Sequence, residues 1–118
     1  MKVLIADDDE SIRRLLAAEL RSYGHETSEA QDGAEAVATA LRDRPDLVFL
    51  DVLMPRLNGY DALAQLRREG YLGKVVIVTA LTDQTARRLS AGTEADATMA
   101  KPFRRPDIRK VLEKLGAL

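Results

Sequence analysis

Strand-length and helix-length stretches alternate five times along this chain, and that alternation leaves few architectures open. Val3-Leu4-Ile5-Ala6 is a short apolar run closed by Asp7-Asp8-Asp9-Glu10. After it, Ile12, Leu15, Leu16 and Leu20 recur at helical spacing, with Arg13, Arg14 and Arg21 on other faces, Asp9 or Ser11 as N-cap and Gly24 as terminator. Residues 25–30 are polar enough for an edge strand, and the solitary His25 reads as a surface strand residue, since metal sites need clustered ligands. The turn Gln31-Asp32-Gly33 leads to an alanine-rich helix over 34–42. Leu47-Val48-Phe49-Leu50 then forms a strand buried on both faces. A helix over 60–68, a β-branched strand over 74–79, a helix over 83–91, a short strand over 96–100 and a helix over 107–115 complete the series, with Pro106 in the last helix's first turn. Helices between strands predict a parallel sheet covered on both sides, an α/β sandwich.

In such a sheet the carboxyl ends of the strands line the ligand crevice, which makes the residues that end the runs informative. They are Asp7 and Asp8, Asp51, Thr79 and Lys101. Taken singly, each has a plain structural explanation: Asp51 as a turn former before Met54-Pro55, Asp7 to Glu10 as charge on a helix N-terminus, Thr79 as an ordinary strand residue, Lys101 as a solvated lysine. Together at one edge, three carboxylates repel unless a proton or a cation neutralises them. Oxygen donors without histidine or cysteine select a hard cation such as Mg²⁺. A carboxylate nucleophile, a hydroxyl at Thr79 and the ammonium of Lys101 then describe phosphoryl transfer to aspartate.

Composition removes other classes. The 118 residues suit one domain spanning 1–118, with no output domain expected. A net charge of -1 gives no electrostatic case for nucleic acid or an anionic membrane. No cysteine is present, which excludes thiol catalysis and disulfides. With too few apolar residues before Asp7 for a signal peptide and no run of membrane-spanning length, a cytoplasmic protein is expected.

Asp7-Asp8 after the leading strand, Leu50-Asp51-Val52-Leu53-Met54-Pro55 with Asn58-Gly59, Val78-Thr79-Ala80 and Lys101-Pro102-Phe103 closely resemble the motifs of the receiver domain of two-component response regulators, the CheY-like family. The resemblance runs nearly end to end. It implies a flavodoxin-like three-layer sandwich, a parallel sheet of order 2-1-3-4-5 flanked by five helices. Asp51 is implied as the phosphoacceptor, charged from a phosphohistidine of a histidine kinase or histidine phosphotransfer protein, or from a small acyl phosphate. Asp8, Asp51 and the backbone carbonyl of Leu53 are implied to bind Mg²⁺, or Mn²⁺ in its place, with Asp7 acting through water. Lys101, before an expected cis Pro102, is implied to contact the phosphoryl oxygens, and Thr79 to swing in toward them. A downstream protein target, or a second copy in a phosphorylation-dependent dimer, is implied to meet the face of the fourth helix, fifth strand and last helix, which carries Arg87, Arg88, Arg104 and Arg105.

Two features depart from the family. Thr98 stands where a tyrosine or phenylalanine is usual, so the aromatic half of the switch is missing. Thr93-Glu94 replaces the usual small pair before the last strand. Leu53 and Leu81 lie two residues beyond Asp51 and Thr79, and neither leucine activates water, which predicts slow self-dephosphorylation. Other classes fit less well. A phosphohydrolase with an aspartyl nucleophile needs an acid where Leu53 stands. A nucleotide or flavin binder needs a glycine-rich cradle that Ala6-Asp7-Asp8-Asp9-Glu10 lacks. A receiver-like module that works without phosphorylation is compatible with Thr98.

Overall fold

Where β-branched, aromatic and leucine residues run consecutively, the chain is extended and buried on both faces. The computed structural model describes residues 1–80 and 95–118. Among these, β1 (Lys2–Ala6), β2 (Glu26–Ala30), β3 (Leu47–Asp51), β4 (Lys74–Thr79) and β5 (Ala97–Ala100) form one sheet of order β2-β1-β3-β4-β5, with every pairing parallel. Four helices are described: α1 (Glu10–Ser22), α2 (Gly33–Asp43), α3 (Gly59–Arg68) and α4 (Arg105–Lys114). The strand order is the one the flavodoxin-like sandwich requires. The helix expected over 83–91 lies outside the described residues, as do Leu81, Arg87, Arg88, Thr93 and Glu94.

Because successive strand side chains point to opposite faces, each central strand feeds two cores. Val3, Ile5, Phe49, Val76 and Val78 pack with Leu16, Leu20, Ile108 and Leu112 from α1 and α4. Leu4, Ala6, Val48, Leu50 and Ile77 pack on the other side with Val37, Leu63 and Leu66 from α2 and α3. Phe49 is fully buried in the first of these cores, and its truncation to alanine is expected to cost about 3–5 kcal/mol. The polar β2 takes the edge, as its sequence predicts.

The helix starts follow their capping residues. Asp9 accepts from the Ser11 amide, Asp32 from the Glu35 amide and Asn58 from the Asp61 amide. Pro106 falls in the first turn of α4.

Some expectations need correction. His25 precedes β2 instead of lying in it, with Nε2 2.8 Å from the Ala117 carbonyl and Nδ1 3.1 Å from the terminal amine. Leu15 is exposed, because Leu16 and Leu20 already fill the stripe facing the sheet. Arg13, expected on a face away from the core, is buried. Tyr71, of which the sequence pattern made no use, is buried as well, its phenol donating to the Pro45 carbonyl at 2.6 Å. Among the described residues no helix is long and apolar enough to cross a membrane.

Candidate functional site

The strand order reverses at β1, which has β2 on one side and β3 on the other, so the carboxyl ends of β1 and β3 open the sheet's crevice. Asp7 follows β1 directly and Asp51 is the last residue of β3; both are buried. Asp8 is exposed beside them. Carboxylate oxygens of Asp7, Asp8 and Asp51 all lie within 4.8 Å of one another. This acidic cluster supplies hard oxygen donors only, on converging side chains, and so fits a small divalent cation such as Mg²⁺ or Mn²⁺.

Lys101 reaches the cluster from one residue beyond β5. Its Nζ donates to Asp7 Oδ2 at 2.9 Å and stands 3.1 Å from Asp51 Oδ1. Its amide donates to the Thr79 carbonyl at 2.7 Å, which ties the lysine to the end of β4. The Lys101-Pro102 peptide is cis. Thr79 is buried at the end of β4. All five strand-end residues singled out in the sequence are therefore brought to one edge.

The electrostatics follow from this packing. Burial pushes the Asp51 carboxyl up to about 6, and the nearby Asp7 charge adds to the rise; the hydrogen bond and charge of Lys101 offset part of it, and Asp8 contributes a little more. Burial works against the Lys101 charge, but its bonds to Asp7 and Asp51 outweigh that and raise its pKa.

The loop between β3 and α3 leads directly away from Asp51. Val52 and Met54 are buried, while Leu53 between them is 70% exposed. Two glycines hold this loop against its surroundings. A Cβ on Gly33, at the start of α2, would lie 1.8 Å from the Leu57 carbonyl oxygen. A Cβ on Gly59 would lie 2.4 Å from the Asp51 carbonyl oxygen. The Gly59 amide donates to the Val52 carbonyl at 3.0 Å, closing the loop back onto the strand end.

Sequence reasoning did not single out Arg13 or Gly33. Arg13 is set by α1 beneath the cluster, with Nη1 2.7 Å from the Asp7 carbonyl oxygen and Nε 2.9 Å from Glu29 Oε1. Its only signal was its place one residue after Ile12, on the flank of the buried stripe. Thr98, in the departing position, is exposed on β5 opposite Ile77. Of the predicted basic face, Arg104 and Arg105 are exposed, and Arg105 is bonded to Glu19 at 2.7 Å.

The sequence matches the family model described as "Response regulator receiver domain" over residues 3–113. It is 37% identical over 118 residues to the "Probable transcriptional regulator ycf27" of Porphyridium aerugineum, covering 97% of this chain and 49% of that protein. The chain spans about half the length of the curated relatives it matches. Among solved structures, the chemotaxis response regulator CheY4 of Vibrio cholerae is similar with a TM-score of 0.90 at 29% identity, with 97% of each chain covered. TrrA of Thermotoga maritima, a response regulator protein in complex with Mg(2+)-BeF, is similar with a TM-score of 0.84 at 30% identity, again with 97% of each chain covered.

Proposed function

This chain belongs to the response regulator receiver domains, and from that premise we propose that it is a phosphoacceptor switch in which Asp51 takes a phosphoryl group in a Mg²⁺-dependent step. The observation that carries this reading is the convergence of three carboxylates on a point faced by the Lys101 ammonium, 3.1 Å from Asp51 Oδ1. Asp8, Asp51 and the Leu53 carbonyl would hold the metal ion, and Asp7 would support it through water. When bound, Mg²⁺ offsets the charge of the cluster and of the incoming phosphoryl oxygens. The Mg(2+)-BeF complex of TrrA supports the assignment, since this chain has the oxygen donors such a complex needs.

The donor is a phosphohistidine of a histidine kinase or phosphotransfer protein, or a small acyl phosphate. An Asp51 carboxylate oxygen forms a bond to phosphorus while the donor's bond breaks: the phosphorus–nitrogen bond of phosphohistidine, its electron pair leaving on the imidazole, or the phosphorus–oxygen bond of an acyl phosphate, its pair leaving on the carboxylate. Ionised Asp51 is the nucleophile, and a cation among the carboxylates would favour that form over the protonated one that burial and the Asp7 charge favour without it. Lys101 lets go of Asp51 Oδ1 and holds phosphoryl oxygens in its place. Thr79 supplies a hydroxyl donor at the end of β4. Each is a fixed positive or donor group aimed at developing negative charge. The chain works as a switch, carrying one phosphoryl group per activation instead of turning over a substrate.

Phosphorylation biases two existing conformations and so alters a binding face that includes β5 and α4. Thr98 supports a transmission route that does not run through an aromatic ring on β5. Arg104 is exposed on that face, whereas Arg105 is engaged by Glu19.

Intact-protein mass spectrometry after incubation with acetyl phosphate, with and without Mg²⁺, tests the reading beside an Asp51→Asn variant. A single metal-dependent phosphoryl adduct on the wild-type protein, absent from the variant, is the expected result. A folded protein that takes no adduct overturns it in favour of a module that works without phosphorylation. Steady release of inorganic phosphate over many turnovers overturns it in favour of a phosphohydrolase.

A further inference from the structure

A guanidinium taken out of water is costly unless its donors are matched, so a buried arginine on a helix calls for an account. Arg13 lies in α1 and is 8% exposed. Its Nη1 donates to the Asp7 carbonyl oxygen at 2.7 Å and its Nε to Glu29 Oε1 at 2.9 Å. Glu29 belongs to the edge strand β2, paired with Ile5 of β1, and its side chain is about one-third exposed. One guanidinium therefore joins a helix, the loop after β1 and the edge strand.

The acceptor gives this link its consequence. The carbonyl of Asp7 lies in the same rigid plane as the amide of Asp8, so a group that holds that carbonyl sets the orientation of the whole Asp7–Asp8 peptide. The Asp7 side chain is held independently: Oδ1 accepts from the Asp9 amide at 2.9 Å and Oδ2 from Lys101 at 2.9 Å. The Asp7 amide donates to the Ala30 carbonyl at 3.2 Å, a second tie to β2. Asp8 is exposed, and its direction depends on the peptide plane behind it.

We infer that Arg13 is a positioning residue for the metal-binding carboxylates, aiming Asp8 through the Asp7 carbonyl, and that Glu29 on the edge strand holds Arg13 in place for this task. The inference rests on the reading of the acidic cluster as a Mg²⁺ site. It gives β2, which contributes no ligand, a part in metal affinity.

Mg²⁺ binding is measured by calorimetry on the unphosphorylated protein for the wild type, Arg13→Gln, Arg13→Lys and Glu29→Gln, together with the Mg²⁺ dependence of acetyl phosphate labelling. Groups that orient metal ligands typically matter 10–100-fold in affinity, so Arg13→Gln is expected to weaken Mg²⁺ binding by about tenfold or more. Arg13→Lys stays weakened, because one ammonium does not reproduce the two-directional fork. Glu29→Gln gives a smaller loss. In labelling, the Mg²⁺ concentration for half-maximal rate rises while the rate at saturation is kept.

Wild-type affinity in a folded Arg13→Gln protein overturns the inference, and so does full recovery by Arg13→Lys, which would leave only a charge effect. A saturating rate lowered at every Mg²⁺ concentration, with half-saturation unchanged, also overturns it, as the mark of a damaged fold. If Arg13→Gln does not fold, Glu29→Gln at its partly exposed edge position decides, and unchanged affinity there counts against the inference. A wild-type protein that binds no Mg²⁺ overturns the metal reading itself, and the inference with it. That result is distinct from the case in which wild type and variants bind alike.

Discussion

Lys101 Nζ stands 3.1 Å from Asp51 Oδ1, so a cation from beyond β5 sits against the carboxylate that ends β3. The same ammonium reaches Asp7 at 2.9 Å, which makes it the neutralising partner of two buried acids at once.

Lys101→Met is therefore expected to destabilise the metal-free protein by about 1–3 kcal/mol, the usual penalty for leaving buried polar groups without their partner. Urea denaturation without divalent ions measures it, and Mg²⁺ should return part of the loss. The variant should also label slowly with acetyl phosphate even at saturating Mg²⁺, since the cation facing the phosphoryl oxygens is gone. Equal urea midpoints for variant and wild type would show that the ion pair contributes nothing to the fold.

Asp51 carries the opposite cost. Its carboxyl is raised to about 6 in the fold, above its ordinary value of about 4, so the folded protein binds this proton more tightly than the unfolded chain does. Stability from this group is fully present below pH 4 and is lost as pH rises through about 6. Asp51→Asn removes the charge and is expected to stabilise the metal-free protein by about 1–2 kcal/mol at pH 7.5, with little effect at pH 4. Paired urea titrations at the two pH values give the answer. Mg²⁺ should stabilise the wild type far more than the variant.

Gly33→Ala is expected to act on the phosphorylation loop from the neighbouring helix. A methyl there meets the Leu57 carbonyl at 1.8 Å, and backbone on both sides must shift to admit it. A loss of about 1–3 kcal/mol is in the range for overpacking. The loop from Val52 to Asn58 includes Leu53, so the Mg²⁺ concentration needed for half-maximal labelling should rise as well. Wild-type stability and labelling in this variant would mean that α2 does not brace the loop.

Leu53, largely exposed at the mouth of the site, has no group to orient or activate water. Leu53→Asn is expected to shorten the lifetime of the phosphoryl group on Asp51, by several-fold up to about a hundredfold given the usual effect of a positioned polar group. The decay of the adduct after removal of acetyl phosphate, followed by mass, measures it. Leu53→Ala serves as control, and a faster decay in Leu53→Ala than in Leu53→Asn would defeat this account.

Much of the fold was legible before any coordinates, because a parallel strand covered on both faces must be apolar at consecutive positions. Leu47 to Leu50 and Val75 to Val78 satisfy that demand without ambiguity. The edge place of β2 was legible for the converse reason, since Thr27, Ser28 and Glu29 have no second apolar layer to meet. Asp7, Asp8, Asp51, Thr79 and Lys101 were legible as a group because each ends a strand, and parallel strands put their ends on one side. The roles of Arg13 and Gly33 were not legible. Helical periodicity places Arg13 on the flank of a buried stripe but does not say that a carbonyl and Glu29, 16 residues away, will meet it there. Nothing local to Gly33 announces that Leu57 will come close enough to forbid a side chain.

The sequence alone determined the order of the described elements, the faces of the central strands and the identity of the strand-end residues, since these follow from local pattern and from the geometry of parallel strands. Only the tertiary structure decided the distances that make the site work: the bridging of Asp7 and Asp51 by Lys101, the raised pKa of Asp51 and the grip of Arg13 on the Asp7 peptide. Those depend on how residues from separate elements pack to within hydrogen-bond reach, and a pattern read along one chain carries no such distances.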